Sequence, residues 1–238
     1  MLNDSMPEAP APDLTVIVPA LNEEDTIREV VERLLKLPFR TQVIVVNDGS
    51  TDRTSAVLKE FGDRIQVLTN TEPGGKGAAI RKALPHARGR AVIIQDADLE
   101  YFPEEIPKLI APILEGRSKA VYGTRFASGL PRGMALPNKI VNRLLAWSVA
   151  VLFFKRLSDE ATCYKAFDRG LLNRMNLICH RFEFCPEVTA KTYRLGERIT
   201  EIPINYVPRS KEAGKKIRWT DAPEAFWTLL RHRFSRFK

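Results

Sequence analysis

Cysteine and histidine are scarce in this chain of 238 residues, and their scarcity excludes several kinds of site. The three cysteines, Cys163, Cys179 and Cys185, are odd in number and lack the paired spacing of a zinc site. We therefore expect free thiols in a reducing, cytoplasmic compartment. The three histidines are scattered along the chain, which argues against a histidine metal site.

Long apolar runs are also missing, since crossing a bilayer takes about 20 apolar residues. The closest segment, 144–154, is flanked by Arg143, Lys155 and Arg156 and predicts a buried helix or one lying in the membrane interface. Residues 1–12 are rich in proline, alanine and acidic residues, which is typical of a disordered leader and unlike an export signal.

The charge balance points to an anionic partner. A formal net charge of +8 suits nucleic acid, an acidic membrane surface or a phosphorylated ligand. The basic residues form no nucleic-acid motif, so we expect no nucleic acid partner.

Strands and helices alternate over the first 125 residues. The predicted strands lie at 14–19, 42–47, 64–69, 91–96 and 120–124, and the helices between them at 24–37, 52–61, 78–87 and from Pro103. Repeated βα units with apolar strands predict an α/β fold, a Rossmann-like and mostly parallel sheet with helices on both faces.

The second half has a different pattern. It predicts helices at 138–154, 169–175, 187–195 and 221–232, strands at 162–167 and 199–207, and a basic loop at 209–216. Because no linker follows residue 13, we expect a single domain over 13–238.

Polar residues follow three of the predicted strands. Asp96-Ala97-Asp98 ends the strand 91–96, where two carboxylates on one sheet edge could bind Mg²⁺ or Mn²⁺ or lie solvated in a turn. The segments 19–24 and 47–52 end the first two strands in the same manner. Together they predict a polar rim at the carboxyl edge, where open α/β sheets bind ligands.

These segments, with Asp-Ala-Asp-Leu-Glu-Tyr at 96–101 and Gly-Thr-Arg at 123–125, resemble the family 2 glycosyltransferases of GT-A fold. Within that family they are similar to the dolichol-phosphate mannose synthase-like branch, over about residues 13–220. The resemblance implies an inverting, metal-dependent transfer of a hexose from GDP-mannose or a UDP-hexose to a dolichyl or undecaprenyl phosphate. It divides the domain into a nucleotide-sugar half, 13–125, and an acceptor half, 126–238.

The resemblance also implies roles for residues on the donor side. Asp98 would be catalytic and bind Mg²⁺ or Mn²⁺ with Asp96 and Glu100, although the branch often has Gln where Glu100 stands. The expected contacts to the nucleotide sugar are Pro19, Leu21, Glu23, Asp48, Lys76, Asp96 and Ala97. Asp48 could instead stabilise a turn, and Lys76 could be solvated. The segment 74–77 looks like a phosphate loop but lacks the Walker A spacing.

Acceptor chemistry decides what the second half needs. An ionised lipid phosphate needs cations, and the candidates are Arg125, Arg209, Lys215 and Lys216, each of which could instead be a surface charge. A hydroxyl acceptor needs a general base. Asp159 could be that base, a contact to the sugar or acceptor, a helix cap, or the partner of Lys155 or Arg156.

The remaining predictions concern the acceptor side and rival functions. Phe182, Phe184 and Glu187 could line the acceptor site or pack in the core. The helix 138–154 and the tail 229–238 combine apolar and basic residues, which suits a peripheral protein on an anionic membrane surface or core packing with a solvated tail. A hydroxyl-acceptor transferase, a nucleotidyltransferase and a non-catalytic binding protein are the alternatives.

Overall fold

The computed structural model describes residues 10–126, 136–208 and 222–235. Its first half contains β1 (Leu14–Ala20), α1 (Ile27–Leu35), β2 (Thr41–Asp48), α2 (Thr54–Lys59), β3 (Gln66–Asn70), α3 (Lys76–Ala83), β4 (Ala91–Ile94), α4 (Ile106–Leu114) and β5 (Ala120–Thr124). Its second half contains α5 (Leu136–Phe153), β6 (Lys165–Asp168), α6 (Arg169–Arg174), α7 (Phe184–Arg194), β7 (Ile199–Pro203) and α8 (Ala222–Phe234).

The strands form a single seven-stranded sheet in the order β3-β2-β1-β4-β6-β5-β7. All neighbouring pairs are parallel except those of β6, which runs antiparallel to both β4 and β5. The start of β6 therefore lies at the edge where the parallel strands end. This reversal brings the segment before β6 to the same edge as the polar residues that follow β1, β2, β4 and β5.

Helices cover both faces of the sheet, as predicted. Alternate side chains of each strand point to opposite faces, so Val16 and Val18 pack with α1, α2 and α4, while Ile17 packs with α3 and α5–α8. Strands that are buried on both faces explain the nearly continuous apolar runs in the sequence.

Two predicted strands are shorter or shifted in the structure. The strand predicted at 162–167 begins only at Lys165, because the Cys163 N–H donates to the Tyr101 hydroxyl rather than to a neighbouring strand. The strand predicted at 199–207 ends at Pro203, and the Val207 N–H then donates to the Glu100 carbonyl. Both departures bring chain segments to the sheet edge.

Within the described ranges, every helix is too short or too polar to cross a bilayer.

Candidate active site

The loops after β1, β2 and β4 are joined to one another at the carboxyl edge of the sheet. The Glu23 N–H donates to Thr54 Oγ1 over 2.9 Å, which connects the first loop to α2. Thr26 Oγ1 donates to the Ala97 carbonyl over 2.7 Å and to the Glu23 carboxylate over 3.1 Å. The polar rim predicted from the strand ends is therefore a connected structure, and it includes the predicted residues Glu23 and Ala97.

Asp48, at the end of β2, holds the glycine turn that precedes α3. Its carboxylate accepts hydrogen bonds from the Gly74 N–H over 2.9 Å, the Gly75 N–H over 2.7 Å and Asn70 Nδ2 over 2.6 Å. Asp48 thus stabilises a turn, although not the turn within its own loop that was considered as the alternative. Pro19 and Leu21 lie at the end of the neighbouring strand β1, beside β2.

The glycine turn does not offer its backbone donors to a phosphate. The N–H groups of Gly74 and Gly75 point to Asp48, while those of Gly77 and Ala78 donate to the carbonyls of residues 181 and 180. The similarity to a phosphate loop is therefore superficial, because these four backbone donors are already bonded. What the turn delivers is the side chain of Lys76.

Lys76 forms a buried ion pair with the first aspartate of the Asp-x-Asp motif. Its Nζ atom lies 2.5 Å from Asp96 Oδ1 and 3.1 Å from Cys163 Sγ. Burial is the largest single influence and disfavours the lysine charge, but the Asp96 carboxylate and the neighbouring thiols together more than offset it, so the pKa of Lys76 lies well above its ordinary value. Lys76 is therefore protonated and neutralises Asp96, which contradicts the alternative of a solvated lysine.

The three predicted metal ligands are not assembled as a cluster. Among the residues that the structure describes, no group of three or more His, Cys, Asp or Glu side chains could hold a metal ion. Asp96 pairs with Lys76, and Glu100 accepts a hydrogen bond from the Tyr206 hydroxyl over 3.1 Å. Asp98 accepts from the Glu100 N–H in a tight turn. Fewer carboxylates suffice for Mg²⁺, which often binds one or two together with substrate phosphates and water.

Arg125 and Asp159 form a second buried ion pair, at the end of β5. Arg125 Nη2 donates to Asp159 Oδ1 over 2.7 Å, while its Nε and backbone N–H donate to Oδ2 over 2.8 and 2.9 Å. The side chains are 7% and 0% exposed, so this is no surface salt bridge. Neither Lys155 nor Arg156, the partners considered from the sequence, is the partner of Asp159.

This pairing leaves part of the Arg125 guanidinium available. Burial is the largest single influence and disfavours its charge, but the charge and hydrogen bonds of Asp159, together with neighbouring groups, more than offset it, so the pKa of Arg125 lies well above its ordinary value. Nη2 also reaches Asn142 Oδ1 at 3.4 Å, and the guanidinium lies over the Tyr206 ring at 5.2 Å from the centroid. Nη1 has no hydrogen-bond partner among the described residues. Within the described part of the chain, the site therefore holds a permanent cation with one donor group still unpaired.

A pocket with about 970 Å³ of open space, including solvent at its mouth, adjoins both ion pairs. Lys76, Glu100 and Arg125 border it at the sheet edge, and apolar residues of α5, α7 and α8 form much of the remaining wall. The predicted residues Phe182 and Phe184 line it. The cavity thus combines two protonated side chains with an apolar enclosure.

Some predicted residues have no described position, and some pocket residues were not predicted. The predicted cations Arg209, Lys215 and Lys216 lie outside the described residues. Glu160 and Tyr206 line the pocket but were not predicted as site residues. The adjacency of Glu160 to Asp159 could have signalled it, whereas Tyr206 meets Tyr101 across 105 positions of sequence, and no local pattern reveals that contact.

Comparison with known proteins gives consistent matches. The sequence model described as glycosyl transferase family 2 matches residues 15–174. Glycosyltransferase AglJ of Haloferax volcanii is 30% identical over 84% of this chain and 65% of its own length. An undecaprenyl-phosphate 4-deoxy-4-formamido-L-arabinose transferase of Pseudomonas fluorescens is 30% identical over 82% of this chain and 58% of its own. The chain thus spans less than two thirds of the length of these relatives.

A solved structure with the same fold is glucosyl-3-phosphoglycerate synthase of Mycobacterium tuberculosis in complex with Mn²⁺, uridine diphosphate and glucosyl-3-phosphoglycerate. The two superpose with a TM-score of 0.72 at 24% identity, over 93% of this chain and 80% of that one. This likeness confirms the predicted α/β fold of GT-A type.

Proposed function

Because the chain belongs to family 2 of the glycosyltransferases, we propose that it transfers a hexose from a nucleotide diphosphate sugar to a polyprenyl phosphate. The reaction inverts the anomeric configuration and depends on Mg²⁺ or Mn²⁺. An acceptor phosphate oxygen attacks the anomeric carbon, and the bond from that carbon to the diphosphate oxygen breaks.

The observation that carries the proposal is the pocket beside the buried Arg125–Asp159 pair. An ionised phosphate needs cations to approach an anionic donor and needs no base. Arg125 is held by Asp159 in a fixed orientation, charged at every working pH. The two Asp159 oxygens accept from Arg125, which suits a residue that orients a cation rather than one that removes a proton. The apolar wall suits a prenyl chain.

On the donor side, Asp98 and Lys76 have separate tasks. Asp98 would hold the metal ion together with diphosphate oxygens, and the bound ion would stabilise the negative charge that grows on the leaving diphosphate. Lys76 keeps Asp96 neutralised and borders the pocket, where its charge favours an anionic donor. Asp48 and Glu23 present carboxylates beside β1, where a nucleoside would lie.

The relatives support the lipid acceptor by name, since one of them is called an undecaprenyl-phosphate sugar transferase. Its sugar differs from those predicted from the sequence. The transfer assay therefore compares the two predicted types of donor, GDP-mannose and a UDP-hexose.

The exposed faces of α5 and α8 fit the surface of an anionic membrane. The two helices pack together, and each carries a stripe of exposed apolar side chains at helical spacing. Trp147 is 65% exposed on α5 and Trp227 is 63% exposed on α8. The other exposed apolar residues of these stripes are Leu136, Ile140, Leu144, Val151, Leu230 and Phe234.

Charge on the same helices favours anionic lipid. The described part of α5 contains Lys139 and Arg143 and no acidic residue, and α8 contains Arg231 and Arg233 against Glu224 alone. The pocket is bordered by both helices, so a lipid acceptor would enter it from the membrane side.

The transfer assay uses purified protein, Mn²⁺ or Mg²⁺, a short polyprenyl phosphate, and labelled GDP-mannose or UDP-glucose in parallel. A labelled product that partitions into chloroform is expected with one donor. Release of nucleoside diphosphate without a lipid product would instead favour a hydroxyl acceptor. Retention of the donor's anomeric configuration in the product would overturn the inverting mechanism.

Membrane association is tested by flotation with phosphatidylglycerol vesicles and phosphatidylcholine vesicles. We expect binding to the anionic vesicles only, and its loss when Trp147 and Trp227 are both changed to Ala. Val67→Ala is the control, because Val67 is an exposed apolar residue on β3, the edge strand of the sheet, and belongs to neither α5 nor α8. Equal binding by the tryptophan variant would contradict the assignment of this face.

A further inference from the structure

Glu187 does not itself line the pocket, yet its carboxylate is completely buried. It lies in the first turn of α7, where Oε1 accepts from the Ile178 N–H over 2.9 Å and Oε2 from the Cys179 N–H over 2.8 Å. One carboxylate thus fixes two successive backbone amides of the loop 178–181. The sequence suggested an acceptor contact or core packing for this residue, and its hydrogen bonds suggest a different task.

The other side of the same loop completes the N-terminus of α3. The His180 carbonyl accepts from the Ala78 N–H over 2.8 Å, and the Arg181 carbonyl accepts from the Gly77 N–H over 3.0 Å. The first N–H groups of a helix have no partner inside the helix and need one from outside. The loop 178–181 supplies that partner for α3.

The loop 178–181 and the glycine turn 74–77 are in close contact. A Cβ atom on Gly75 would lie 2.6 Å from the His180 carbonyl oxygen, and one on Gly77 would lie 2.9 Å from Cys179 Sγ. Lys76 stands between these two glycines, and its ammonium group reaches Asp96 at 2.5 Å. A movement of the loop must therefore move the backbone of Lys76.

We infer that Glu187 is a positioning residue that holds the loop 178–181 against α3 and thereby fixes Lys76 beside Asp96. Its effect on catalysis rests on the proposed function, since that function places Lys76 on the donor side.

The buried charge of Glu187 has its own counterion. Lys191 Nζ lies 2.5 Å from Glu187 Oε1. His232 Nε2 of α8 lies 3.8 Å from the same oxygen, but burial lowers the pKa of His232, so it does not share that role. Lys191 provides a control, because Lys191→Met removes this ion pair and the bond that Lys191 Nζ donates to the Asn176 carbonyl, and leaves both hydrogen bonds from the loop amides to Glu187 in place.

The first test measures amide hydrogen exchange in the full chain. Glu187→Gln places an amide NH₂ group where one of two backbone donors needs an acceptor, so the loop loses a hydrogen bond. We expect the Gly77 and Ala78 amides to exchange about tenfold faster in Glu187→Gln. In Lys191→Met they should exchange as in the wild type, after correction for global stability. Unchanged exchange in Glu187→Gln would overturn the inference.

The second test asks whether the effect passes through Lys76. Glu187→Gln should raise KM for the nucleotide sugar about tenfold and leave KM for the acceptor unchanged, whereas simple destabilisation lowers the active fraction without changing either KM. In a Lys76→Ala background the same change should have no further effect on donor KM. An equal effect in both backgrounds would overturn the route through Lys76.

The two tests separate the two claims. If Lys76→Ala by itself leaves donor KM unchanged, the proposed donor role of Lys76 fails, and the exchange measurement still decides the positioning by Glu187.

Discussion

Asp159→Asn tests the ion pair on which the acceptor site is built. The substitution keeps the size of the side chain and removes its charge, so the Arg125 guanidinium stays buried without a counterion. Removing one partner of a buried ion pair costs about 3–5 kcal/mol. Asparagine retains one oxygen that can accept from Arg125, so we expect the free energy of unfolding to fall by about 3 kcal/mol, at the lower end of that range.

The Arg33–Glu104 pair is a control with the same bidentate geometry at the surface. Arg33 Nε lies 2.8 Å from Glu104 Oε1 and Nη2 lies 2.5 Å from Oε2, but the Glu104 side chain is 62% exposed. Exposed pairs contribute about 0–1 kcal/mol. Glu104→Gln should therefore change the unfolding free energy by less than about 1 kcal/mol, and urea denaturation measures both variants in one experiment.

A double variant separates stability from function. Arg125→Met with Asp159→Leu replaces both charges by apolar groups, and such replacements of buried pairs are often neutral or stabilising. It should regain most of the stability lost in Asp159→Asn and recover no transfer. If Asp159→Asn unfolds within about 1 kcal/mol of the wild type, the description of a buried, mutually dependent pair is wrong.

Asp159→Asn also distinguishes a phosphate acceptor from a hydroxyl acceptor. If Asp159 orients Arg125 for a phosphate, the folded fraction of Asp159→Asn keeps part of the transfer activity. If Asp159 were the base for a hydroxyl acceptor, activity would vanish. The measurement is kcat per folded protein for Asp159→Asn and the wild type.

Three further predictions concern single positions. Gly75→Ala and Gly196→Ala both place a side chain at positive φ, but Gly75, at φ 92° and ψ 164°, lies in a backbone region that is essentially restricted to glycine, and only there would the new Cβ meet a carbonyl oxygen; Gly75→Ala should therefore lose about 1–3 kcal/mol more than Gly196→Ala in urea unfolding, and equal losses would contradict this. Burial raises the pKa of Glu160 above its ordinary 4.5, against the opposing charge of Lys165, so the folded state keeps a proton that the unfolded chain releases. Its stabilising contribution is complete below pH 4.5 and declines as pH rises towards the folded pKa; Glu160→Gln should therefore gain stability relative to the wild type between pH 4.5 and 8, and a flat difference would refute the shift. Asp98→Ala should lower metal-dependent turnover about 10²–10³-fold with an unchanged circular dichroism spectrum, and full activity would exclude Asp98 as a ligand.

Much of the fold was predictable, because helices and strands have their own periods of apolar residues. The alternation over 14–125 predicted β1–β5 to within a few residues, and the polar segments after β1, β2 and β4 predicted the edge where the site lies. The boundaries of β6 and β7 were less accurate. The Cys163 N–H bonds to the Tyr101 hydroxyl and the Val207 N–H to the Glu100 carbonyl, instead of to neighbouring strands. Partners so distant in sequence leave no local pattern.

The amino-acid sequence by itself determined which residue types lie at the site: two aspartates after β4, a lysine between glycines, and an arginine after β5. These follow from short-range patterns at strand ends, which a sequence displays directly. Which charges neutralise which was decided only by the tertiary structure. The antiparallel insertion of β6 brings Asp159 to Arg125, 34 residues away, and the glycine turn brings Lys76 to Asp96, 20 residues away. The order and direction of the strands set both pairings, and that order is a property of the whole sheet rather than of any segment.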